Sequence, residues 1–111
     1  MEQTISRKEM LKQAIKSALK GKMALSLNNL PCKCVEITGK IQFTSHTPDT
    51  CDCTVIDQWT EVKGITTATI LYHSDIYVPS VEIEFMAQIS DCTIVSIREP
   101  IRALIDIPVV L

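Results

Sequence analysis

The chain changes character at Gly21, and that change fixes its fold class. Before it lies one well-specified helix. Ser6 and Glu9 stand in the S-x-x-E spacing of a capping box, with Ile5 placed to staple against Met10. At 100° per residue, Met10, Leu11, Ala14, Ile15, Ala18 and Leu19 fill one half of the helix surface. Glu9, Lys12, Gln13, Lys16, Ser17 and Lys20 fill the other half. Gly21 can take the left-handed conformation that ends a helix. The spacing predicts a helix over residues 6–21.

Beyond Gly21 the residues favour strands. Ile, Val and Thr dominate, and the apolar positions recur at every second residue. Lys22–Leu27 reads as a first short strand or as the end of the helical region, and strands are expected at Cys32–Thr38, Lys40–Ser45, Cys51–Asp57, Ile65–His73, Val81–Met86 and Thr93–Arg98. Ile101–Ile107 reads as a last strand or a short helix. Gly39 marks either a bend in one long strand or a break between two. Asn28 to Pro31, His46 to Thr50 and Ser74 to Ser80 read as turns or loops, and Trp59–Gly64 as a connection. Strand-to-strand connections are too short for parallel crossovers, which need a dozen residues or more. The expected fold is therefore α+β: an N-terminal amphipathic helix packed on a mostly antiparallel sheet or small β-barrel of five to seven strands. A length of 111 residues suits a single domain spanning 1–111, with a β-rich body over 32–111.

Five cysteines are unusually many for a short chain, and four form two C-x-C pairs. Residues two apart in a strand share a face. Strict alternation places Cys32 and Cys34 opposite Val35 and Ile37, off the apolar face. If the strand holding Cys51 and Cys53 pairs with theirs, four sulfurs converge. Zinc accepts four thiolates, and His46 is a substitute ligand. Unligated thiols, and disulfide or redox chemistry, are the other readings of these cysteines, so the expected cofactor is none, or one structural zinc. Cys92 reads as a small buried hydrophobe.

The net charge is −2 and is unevenly spread. Residues 1–22 hold six basic side chains against two acidic, and the remainder holds five against eleven. One consequence is a basic helix docking on an acidic sheet by attraction. Another is a polyanion contact along Lys12, Lys16 and Lys20, which span about 12 Å of helix. No apolar run reaches the roughly 18 residues of a membrane span, so no membrane partner is expected. The first residues lack the apolar core of a signal peptide, which points to the cytoplasm.

No phosphate-loop, dinucleotide, zinc-protease or nucleophile-elbow motif is present. His73, beside Ser74 and Asp75, reads as a loop-edge histidine, and no catalytic residue is nominated. Trp59 reads as a loop anchor over the core or as an exposed partner contact, with Tyr72 and Tyr77 extending its patch. Glu82 and Glu84 share one strand face and read as the solvated face of an edge strand or as an acidic contact surface. The apolar end, Ile105 to Leu111, favours burial or self-association. The expected function is a small intracellular binding module acting through protein–protein contacts, by occlusion or scaffolding. The alternative is a nucleic-acid-associated module with a four-cysteine metal site and a lysine-rich helix face.

Overall fold

A computed structural model describes residues 6–47, 58–72, 75–91 and 94–108. Helix α1 (Arg7–Leu19) opens the fold. Ser6 caps it, its Oγ accepting from the Glu9 amide at 3.1 Å. Lys20 closes it, and Gly21 follows at φ +85°, as its sequence position requires. The Gly21 amide then donates to the Cys34 carbonyl at 2.7 Å, which ties the helix end to the sheet.

Seven strands follow: β1 (Met23–Leu25), β2 (Pro31–Ile37), β3 (Gln42–Thr47), β4 (Glu61–Tyr72), β5 (Ile76–Asp91), β6 (Ile94–Ile97) and β7 (Ile101–Ala103). Five of them, β1, β2, β4, β5 and β7, close into a barrel. Going round the ring follows chain order. Every neighbouring pair is antiparallel except the closing pair, β1 with β7. The long β4–β5 hairpin runs past the barrel and is flanked there by β3 and β6, the two edge strands.

Strands β2 and β3 lie one after the other along the same side of β4. The break between them falls at Gly39, as the sequence suggests. Thr67 approaches so closely there that a Cβ on Gly39 would strike its hydroxyl. Strands β4 and β5 are both longer than the sequence indicates. Strand β5 runs through Pro79 because Pro79 and Ser80 together oppose Thr69 in a bulge. Proline is tolerated at a bulge, and Ser80 takes φ +59° to absorb the extra residue.

The barrel core follows the expected alternation where the strands are regular. Val81, Ile83, Phe85 and Ala87 point inward and are buried, while Glu82 and Glu84 point outward. Leu11, Ile15 and Leu19 of α1 are fully buried against this body, which the helix meets mainly at β6 and β2. Each such side chain contributes roughly 1.5–3 kcal/mol by leaving water. The helix thus docks through its apolar face, and Lys16 and Lys20 remain exposed.

The far end of the chain is held by Asn28. Its Nδ2 donates to the Ile107 carbonyl at 2.7 Å, and its Oδ1 accepts from the Ile107 amide at 2.9 Å. Ser26 Oγ donates to the same Oδ1 and accepts from the Leu30 amide, which fixes the turn with Asn29 at φ 61°. Ile5, the expected strand Cys51–Asp57, His73, Cys92 and the tail 109–111 lie outside the described residues.

Candidate functional site

Cys32 and Cys34 do not lie off the apolar face, contrary to the expectation from strict alternation. In β2, Val35 is an extra residue: Cys34 pairs with Ile70, and Glu36 with Thr69. This bulge resets the alternation, so Cys32 and Cys34 face inward together with Ile37. Both thiols are free and buried. Burial, and to a lesser degree the neighbouring Cys32, pushes the Cys34 thiol up to about 11, and burial raises that of Cys32. Thiols held protonated in an apolar core are poor metal ligands.

His46 is equally misplaced for a shared ion. It pairs with Val62 of β4, eight residues from Ile70, a separation of roughly 26 Å along a strand. Among the described residues no group of three or more His, Cys, Asp or Glu side chains is gathered to hold a metal. The zinc expectation is therefore overturned. Cys51 and Cys53 lie outside the described residues.

Trp59 is a core residue, 5% exposed, and takes the loop-anchor role. Its ring stacks on His46 at 4.3 Å and meets Phe43 edge-on at 5.6 Å. The Trp59 Nε1 is buried with no hydrogen-bond partner among the described residues. A ring covered this way is not available as an exposed partner contact, which corrects that expectation. Lys12 lies with its Nζ 5.7 Å from the centre of the Phe43 ring. It is half-buried, and with Lys16 it lines a recess of about 510 Å³ that also takes in Glu9 and Lys40. Lys20 is exposed at the end of the same stripe.

The tyrosines fare differently. Tyr72 is half-buried and packs on the core, while Tyr77 is 54% exposed. Tyr77 pairs with Leu71, Leu71 with Lys33, and Lys33 with Met23. Paired residues share a face. The outward row Met23–Lys33–Leu71–Tyr77 therefore crosses four strands, with Met23 47% exposed. Ile76 and Leu27, both more than a third exposed, lie beside its two ends along the chain. Met23, Lys33 and Leu71 were not singled out by the sequence. The available signal was weak: β1 is three residues long, and its alternation is too short to read.

Glu82 and Glu84 are exposed, but β5 is not an edge strand, since it pairs on both sides. Glu84 stands between Ile65 of β4 and Arg102 of β7. It lines a recess of about 530 Å³ with Lys63, Arg98 and Arg102. Glu82 faces Thr67 and shares a smaller recess with Lys40.

No family model, no curated protein and no solved structure matches this chain. No helix among the described residues is long and apolar enough to cross a membrane.

Proposed function

We propose that the protein is a binding module that docks a protein partner on the outer strip Met23–Lys33–Leu71–Tyr77. The observation that supports this is the exposure of Met23 and Tyr77 in one continuous cross-strand row. Large apolar side chains aligned in this way on a rigid barrel suit a partner contact, and tyrosine is a common anchor in such contacts. Lys33, in the middle of the row, favours an apolar partner segment that carries a carboxylate. The module acts by occluding or scaffolding that partner. The free thiols of Cys32 and Cys34 are in keeping with a cytoplasmic setting.

Photo-crosslinking in cells tests the reading, with a crosslinking residue placed at position 77, 23 or 17. Discrete protein adducts are expected from 77 and 23, lost when Leu71→Asp is added, and absent from 17 on the helix. Adducts of equal yield from all three positions, or none from 77 and 23, refute it. A second copy of the chain in the adduct would make the partner a protomer.

A second reading is favoured by one observation: Lys12 and Lys16 of the helix share their recess with Lys40, which concentrates positive charge. It holds that the module contacts a polyanion there. Retention on nucleic acid that falls steeply with salt, and that vanishes when Lys12, Lys16 and Lys20 are changed to Gln, supports it. No retention, or retention insensitive to salt, removes it.

A further inference from the structure

We propose that the recess walled by Lys63, Arg98 and Arg102 binds a small organic anion carrying two or more phosphate groups. The three cations come from three separate segments: β4, the β6–β7 connection and β7. They line a recess of about 530 Å³ together with the buried residues Gly64, Phe85 and Ile101. That volume lies within the range of small-molecule sites and exceeds what one inorganic phosphate needs.

Charge points the same way. Glu84 is the one carboxylate among the lining residues, so the recess keeps an excess of positive charge. Glu84 stands in register with Arg102, yet among the described residues no carboxylate is ion-paired to any of the three cations. The hydrogen-bond contact of Arg98 is a weak one, Nη1 to the Met86 sulfur at 3.6 Å. Two arginines provide planar forks that match phosphate oxygens in pairs, and Lys63 adds a point charge. Ile65, Met86 and Pro100 supply an apolar wall for the organic part of the ligand. Recognition here uses side chains on a rigid sheet rather than a glycine-rich loop. It is therefore compatible with a chain of only three glycines.

Amide NMR titration of the full chain tests the site, with inorganic pyrophosphate and adenosine diphosphate as probes and adenosine as the control. Saturable shifts are expected at Gly64, Ile65, Arg98 and Arg102 with both phosphates and none with adenosine. Arg98→Gln and Arg102→Gln should each weaken binding by roughly tenfold or more, the scale of one lost charge-assisted contact. Glu84→Gln should tighten it, and Lys16→Gln on the helix should leave it unchanged. Unaltered amide shifts elsewhere establish that each variant is folded. The proposal is overturned by the lack of a saturable shift up to about 10 mM of either phosphate, an affinity of only about 3 kcal/mol. It is also overturned by equal weakening from Lys16→Gln and Arg98→Gln, which would mean diffuse charge attraction. Weakening by Glu84→Gln would likewise exclude this recess.

Discussion

Replacing Cys34 by alanine should reverse the sign of its effect on stability between neutral and alkaline pH. The side chain is fully buried in the barrel, with Cys32 two residues away on the same face. At neutral pH, Cys34→Ala removes one buried sulfur and leaves a small void, which costs about 1 kcal/mol. At high pH the balance changes. The thiol titrates at about 11 when folded, against 9.0 when exposed. The folded state therefore holds the proton more tightly, and unfolding releases it once the pH passes 9.0. Stability contributed by this group is intact below that value, falls as the pH rises and levels off beyond about 11. At about pH 10.5 the loss amounts to roughly 2 kcal/mol in the wild type and is absent in the variant. The variant, about 1 kcal/mol less stable at pH 7, should thus be about 1 kcal/mol more stable at pH 10.5. Urea unfolding of both proteins at the two pH values measures this, and the difference between them cancels the lysine and tyrosine titrations they share. A gap that stays constant with pH would show that the thiol is solvated, and the inward placement of Cys34 would be wrong.

Two substitutions and two deletions probe the frame. Asn28→Ala removes both hydrogen bonds to Ile107, and it should cost roughly 1–3 kcal/mol and speed amide exchange at Ile107. Gly64→Ala places a Cβ 2.6 Å from the Gln42 carbonyl and 2.7 Å from the Phe85 ring. It should cost roughly 1–3 kcal/mol, read as a lower thermal midpoint. Deleting Val35 removes the bulge and leaves Cys34, Glu36 and Ile37 opposite Ile70, Thr69 and Ala68, so the native amide spectrum should survive. Deleting Lys33 puts one of the two cysteines on the wrong face, and that spectrum should collapse.

The helix was legible because its signals are local: a cap, a 3.6-residue period and a terminal glycine all lie within sixteen residues. The inward set Val81, Ile83 and Phe85 was legible for the same reason, since that stretch of β5 is regular. The cysteines were misread because alternation holds only until a bulge, and nothing around Val35 marks one in the sequence. The stretch Ser74 to Ser80, read as a turn or loop, misled in the opposite direction, since a bulge accommodates Pro79 within β5. Closure of the barrel by parallel pairing of β1 with β7 joins residues nearly eighty positions apart, as Ala24 with Ile101. Local pattern carries no information about such a pairing. The recess of Lys63, Arg98 and Arg102 escaped for that reason as well. Lys63, Arg98 and Arg102 are far apart or unremarkable in sequence, and only the β4–β5–β7 register gathers them.

The same register joins the two proposed surfaces. Starting from Tyr77, the outward row passes Leu71 and Lys33 to Met23 on β1. Leu25, two residues on and half-buried, shares that outer face and pairs with Arg102 of β7. Arg102 in turn pairs with Glu84, whose other neighbour is Ile65. The apolar strip therefore leads round the barrel into the cationic recess without crossing the core. Arg102 belongs to both neighbourhoods, so its neutralisation disturbs both and separates nothing. Arg98 lines only the recess, and Leu71 lies only in the strip. Loss of phosphate binding in Arg98→Gln with crosslinking intact, and the converse in Leu71→Asp, would establish two separate surfaces. Loss of both in each variant would mean one continuous site whose centre is β7.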